Sequence, residues 1–186
     1  MREFGMAEQN RASVASLSTT MAWLSACGFI FLPAAVIYTF LEPDNAHWLM
    51  MHFDHGAEGM TAATPLAFRL AALLCALVPT AFTMWALWSL RRLFLLYARG
   101  SVFSQEALSA LNDVAVALFA SVIVAFVSGA PTTLLLSWPN GPHHREITLS
   151  FGTDDVATLF IACTVLVIAR VMAEARRVAD ENAKFV

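Results

Sequence analysis

Between Glu42 and Pro65 the sequence EPDNAHWLMMHFDHGAEGMTAATP gathers His47, His52, Asp54, His55 and Glu58, and the polar stretch after Trp138 adds His143 and His144. All five histidines of the chain are in these two segments. Neutral imidazoles and carboxylates are the ligand set of zinc, copper or nickel. A three- or four-ligand site for a divalent transition metal can therefore be drawn from His52, Asp54, His55, Glu58, His143 and His144. The spacing HxDHxxE is not HExxH and matches no standard metal signature. In a helix His52 and His55 would share a face, with Glu58 one turn further on. The same residues suit proton sensing, because histidine titrates near pH ~6.5 and neighbouring carboxylates raise that value. The blander reading is a set of solvated loop residues near lipid headgroups.

Catalytic chemistry finds less support. Ser25, Ser89, Ser121 and Ser128 have no histidine in the same apolar run, and no glycine-rich loop follows a strand to cradle phosphate. The expectation is a protein that is not an enzyme and needs no cofactor. Cys27, Cys75 and Cys163 fall in three different apolar runs with no CxxC spacing, and are expected to be small buried hydrophobes.

The elements that must position these residues are set by composition. Of 186 residues, 59% are hydrophobic and 13% charged, more apolar surface than a water-soluble fold of this size can cover. Four apolar runs, at about 20–41, 66–90, 114–136 and 156–173, approach the ~20 residues that cross a bilayer. The fold class expected is an all-α membrane protein, a four-transmembrane-helix bundle. The domain plan is a lead-in at 1–19, the transmembrane domain at 20–173 and a helical tail at 174–186. The first run exceeds the ~7–15 residues of a signal-peptide core and is followed by further spans, so it is expected to remain as an uncleaved span. Little order is expected before Ser13.

Within this frame, HWLMMHF reads as a short interfacial helix anchored by Trp48, Leu49, Met50, Met51 and Phe53. Pro33 and Pro79 interrupt spans, which a membrane bundle tolerates when neighbours satisfy the freed carbonyl. Trp85 and Trp88 precede Arg91 and Arg92 as an aromatic belt followed by basic anchors. That helix is expected to run through LFLLYAR to a stop at Gly100, and the next to be capped by Ser104 with Gln105 and Glu106 in its first turn. Along the third span Ala117, Ser121, Ala125 and Gly129 recur every four residues. Such a small-residue stripe lets another helix approach closely, within the chain or in a homo-oligomer. Trp138, Pro139, Asn140, Gly141 and Pro142 end that helix, and ITLSF alternates at period two, which predicts a short strand or β-hairpin. Thr153 is expected to cap the fourth span.

Charge sets the orientation. Arg91, Arg92 and Arg99 occupy a connector too short to be a translocated domain, and short basic loops stay cytoplasmic. With that assignment Arg2, Arg11, Arg91, Arg92, Arg99, Arg170, Arg176, Arg177 and Lys184 lie inside, against only Arg69 and Arg145 outside. Both termini are thus expected in the cytoplasm, with the histidine-bearing loops on the other face. The net charge of −3, with most basic residues at one membrane face rather than in a stripe, is not that of a nucleic-acid binder. Ionisable groups near the spans, Arg69, Asp113 and Arg170, sit toward the ends, whereas a proton-coupled transporter places such a group centrally. Arg69, near an outer end, is expected to snorkel or to pair with an acidic group.

The connector and the tail also carry a resemblance. Leu93, Tyr97, Arg99-Gly100 and Val102-Phe103-Ser104, followed by a last span ending Ala173-Glu174, Asp180-Glu181-Asn182 and Phe185-Val186, resemble the bacterial inner-membrane family known as domain of unknown function 2975. The resemblance implies a four-span inner-membrane protein, often encoded beside a small helix-turn-helix regulator, and supplies no catalytic residues. The leading reading is a non-enzymatic regulatory or accessory protein that contacts the lipid bilayer and a membrane or cytoplasmic protein partner. Its docking residues would be Arg91, Arg92, Arg99, Phe103, Arg176, Arg177, Glu181 and Asn182. A metal- or proton-responsive protein using the outer loops is the alternative, and a small transporter the third.

Overall fold

A computed structural model describes residues 2–42, 64–140, 147, 149 and 151–182. The protein is all-α: α1 (Arg2–Leu41), α2 (Leu66–Ala98), α3 (Gln105–Ser137) and α4 (Thr153–Asn182), with a 3-10 turn at Trp138–Asn140 after α3. All four helices are long and apolar enough to cross a membrane. The chain is thus a multi-pass membrane protein by the length and composition of its helices. With 33 residues, α2 and α3 are each about 50 Å long, well beyond the ~30 Å of bilayer hydrocarbon, so each carries extra turns past an apolar span.

α1 reaches back to Arg2, where little order is expected from the sequence before Ser13. Glu3, Met6, Ala7, Glu8, Gln9, Arg11 and Ala12 are all good or neutral helix formers, and continuing an existing helix avoids the cost of a new nucleus. No strand occurs among the described residues, and Ile147, Leu149 and Phe151 are exposed. Thr148 and Ser150 of the segment expected to form a strand or hairpin lie outside the described residues. Phe151 packs edge-on against Phe126 of α3, ring centroids 6.2 Å apart.

The helices divide into two compact units, each with a segment of every helix. One comprises Met1–Phe29, Trp85–Ala117 and Phe160–Val186. Its core is Leu93 and Leu96 of α2 against Ala107 and Ala110 of α3, with Leu90, Tyr97 and Leu111 packed around them. The other comprises Ile30–Met84 and Leu118–Leu159, and its core joins Phe40 of α1, Ala72 and Leu73 of α2 and Leu136 of α3.

Small residues mark the buried faces. Ala117, Ser121, Ala125 and Gly129 are all buried, as the stripe requires. α1 has a stripe of its own in Ser18, Ala22, Ser25 and Ala35. Among the described residues the buried polar side chains are all Ser or Thr. Ser25, Thr39, Thr80, Thr132 and Thr133 donate to carbonyls one turn back on their own helix, which removes the cost of burying a hydroxyl in an apolar interior. Cys27 and Cys163 are exposed and Cys75 half-buried, so two of the three cysteines are not the buried hydrophobes expected. Their places on apolar helices suit a small side chain facing lipid.

Candidate functional site

The connector is fixed at both ends by backbone geometry that the sequence dictates. Gly100 takes φ 78°, a left-handed conformation that a Cβ disfavours. Its N–H donates to the Tyr97 carbonyl at 3.0 Å and the Ser101 N–H to the Leu96 carbonyl at 3.0 Å, the paired bonds of a Schellman cap closing α2. Four residues later the Ala107 N–H donates to Ser104 Oγ at 3.1 Å, which caps α3. Replacing Ser104 with alanine is expected to cost about 1 kcal/mol of stability. Chemical unfolding in a mild detergent reads this directly, and an unchanged midpoint would mean the cap is not needed to hold the turn.

α4 begins one residue earlier than its sequence suggests. The Gly152 N–H donates to Asp155 Oδ2 at 2.9 Å and the Val156 N–H to the Gly152 carbonyl at 3.3 Å. Gly152 is therefore the capping position and Thr153 the first helical residue. The Asp155 carboxylate, three residues on, closes a capping box that the Thr153 hydroxyl alone does not offer.

At the other end of α4, Arg176 Nη1 donates to the carbonyl of Phe103 at 2.9 Å. This bond ties the connector to the last helix. Arg177 forms ion pairs with Glu174 and with Glu181, the latter at 3.0 Å, and Arg176 sits 3.7 Å from Asp180. The Arg177 hydrogen bond holds the Glu174 carboxyl below the usual carboxylate range, so that pair stays ionised at neutral pH. Opposite charges three or four residues apart are neighbours only on a helix and so favour that geometry. Together they keep the last turns helical after the apolar run ends near Ala173.

The arginines of α2 form a second feature of the same unit. Arg91 lies over the Trp88 ring, 5.7 Å from its centroid, and Trp88 in turn meets Phe29 of α1 at 6.0 Å. Arg91, Arg92 and Arg99 line a cleft of about 230 Å³ with Trp88, Leu95, Leu96 and Glu106 of α3. No carboxylate among the described residues lies within ion-pair distance of these three guanidiniums.

Of the docking residues read from sequence, Phe103 and Arg176 are joined directly, and Arg177 and Glu181 are paired on α4. Phe103 is 68% exposed, large and apolar beside cations. Asn182 is the last residue of α4. Arg69 donates to the Leu41 carbonyl at 3.2 Å, so it meets the C-terminal end of α1, and no acidic partner for it is found among the described residues. The metal-ligand candidates His52, Asp54, His55, Glu58, His143 and His144 all lie outside the described residues, as do His47 and the HWLMMHF segment. Two features escape sequence reading, the cleft that gathers the arginines with Glu106 and the small-residue face of α1. The second had a legible signal in Ser18, Ala22 and Ser25.

A family model described as "Protein of unknown function (DUF2975)" matches residues 55–186, from the first loop through α2, the connector and α4. The chain belongs to this family. The match covers the connector, the tail and every residue that lines the arginine cleft, while α1 precedes it. Neither a curated protein nor a solved structure matches the chain.

Proposed function

We propose that this DUF2975 protein is a non-enzymatic regulatory or accessory component of a bacterial inner membrane, acting through protein contacts on its cytoplasmic face. The observation that carries the reading is the bond from Arg176 to the Phe103 carbonyl, which makes connector and tail parts of one surface. On that surface an exposed Phe103 stands beside Arg176, itself 3.7 Å from Asp180, an apolar anchor with a polar rim. Interfaces are built in this way, around an aromatic anchor with charged groups outside it. The excess of nine basic residues over two on the connector's side supports a cytoplasmic location for this face and for both termini. An exposed aromatic bordered by ion-paired charges suits recognition of a protein surface.

The test is recovery of partners from native membranes after crosslinking, with the full chain and with a chain lacking Asp180–Val186. The full chain is expected to retain a defined set of proteins that the shortened chain loses. Recovery of the same set by both would end the docking reading.

A further inference from the structure

We propose that the arginine cleft at the end of α2 is a binding site for the headgroup of an anionic phospholipid. It goes beyond the protein-docking reading and does not depend on it. It requires only that α2 cross a membrane with its polar end here.

The first ground is charge. Arg91, Arg92 and Arg99 bring three cations to one cleft, Glu106 one anion, and no described carboxylate neutralises the guanidiniums by an ion pair. A net excess of two positive charges brought to one open cleft calls for an anion. Guanidinium groups match phosphate oxygens through their planar fork of donors. The second ground is depth. Trp85, Trp88 and Arg92 follow one another along one face of α2, Arg99 lies just past its end, and both tryptophans are exposed. Amphipathic indoles settle at the headgroup level of a bilayer, which puts the arginines that follow at the phosphate layer.

The third ground is the shape of the cleft. A volume of about 230 Å³ is suited to a phosphate and its glycerol, and not to a protein helix. Leu95 and Leu96 are among its lining, so the ligand must tolerate an apolar contact beside its charged group. A phospholipid does so, with acyl chains leaving along Trp88 and Trp85 while the phosphate meets the arginines. Arg91, held over the Trp88 ring, is already oriented at this boundary. Basic pockets at the ends of transmembrane helices recognise anionic headgroups on this principle.

The experiment uses the purified full chain in a neutral detergent, with phosphatidylglycerol and phosphatidylcholine of identical acyl chains as probes and native mass spectrometry as the readout. Phosphatidylglycerol is expected to be retained in preference to phosphatidylcholine, and excess inorganic phosphate is expected not to displace it. Each arginine near an anionic headgroup is worth about fivefold in affinity, so the triple variant Arg91→Gln, Arg92→Gln, Arg99→Gln should bind on the order of a hundredfold more weakly. The variant Arg170→Gln, at an exposed position of α4 outside the cleft, should bind as the parent does. Should the triple variant not fold, the single variants Arg92→Gln and Arg99→Gln, both at exposed positions, are each expected to weaken retention about fivefold. Equal retention of the two lipids, or unchanged retention by the arginine variants, would overturn the proposal. Displacement by inorganic phosphate would assign the cleft to a soluble anion instead. Loss of crosslinked protein partners with lipid retention intact would assign it to the protein interface.

Discussion

Replacing Ala117 with leucine is expected to lower stability in detergent by about 1–3 kcal/mol, the usual cost of forcing extra methylenes into a packed interior. Ala117 has no exposed surface, and it opens the row that continues through Ser121, Ala125 and Gly129. Small residues at such positions let helix backbones come close, and in lipid that closeness is a main source of cohesion, because acyl chains are as apolar as leucine. A larger side chain must either push the neighbouring helix away or leave its preferred rotamer. Phe119, two positions on, is 48% exposed and provides the contrast, since Phe119→Leu should alter stability by less than about 0.5 kcal/mol. Unfolding midpoints in a denaturant titration separate the two. Equal midpoints would mean that the row does not mark a packed face.

The second large effect lies in the other unit. Leu136, 1% exposed, packs with Phe40, Ala72 and Leu73, and truncation to alanine opens a cavity among them. In water-soluble proteins such a change costs about 2–5 kcal/mol, part of it from lost transfer free energy and part from the cavity. In a membrane protein the transfer part is small, which leaves the cavity and the forfeited dispersion contacts. The expected loss is therefore at the low end, about 2 kcal/mol. Leu74→Ala, at a site 67% exposed, should be close to neutral in the same titration. Matching losses at both positions would show that burial, as described for Leu136, does not govern stability here.

The spans were legible because a run of about 20 apolar residues has few fates other than a membrane helix. The connector was legible for a different reason, since Gly100 and Ser104 are the residue types that left-handed turns and helix N-termini demand. The face each helix buries was harder to read. A helix surrounded by lipid is apolar on its outside too, so hydrophobic periodicity does not separate inside from outside as it does in water. α4 makes the point. Only Ala162 and Ala169 are buried in its apolar stretch, while Phe160, Val167 and Val171 are exposed, an order opposite to what side-chain hydrophobicity suggests. Cys27 and Cys163 were misread in the same way.

Boundaries went astray where two local signals competed. Thr153 is a better capping residue by type than Gly152, yet the reach of the Asp155 carboxylate back to the Gly152 N–H selected the earlier position. The start of α1 was set by helix propensity rather than by the end of the apolar run. Of the docking residues, sequence supplied the members but not the join. Arg176 and Phe103 are 73 positions apart, and only the fold brings the guanidinium to that carbonyl. The cleft was invisible for the same reason, because Glu106 belongs to a different helix from the three arginines it faces.

Connector and tail acting as one cytoplasmic surface is the claim on which the rest depends, and cysteine accessibility in sealed inner-membrane vesicles tests it most directly. With Cys27, Cys75 and Cys163 replaced by alanine, single cysteines are introduced at Ser101, Val178 and Gly141 and treated with a membrane-impermeant maleimide. Ser101→Cys and Val178→Cys are expected to react from the cytoplasmic side, and Gly141→Cys only from the opposite side. Labelling of Ser101→Cys and Val178→Cys from different sides, or of all three from one side, would contradict the account.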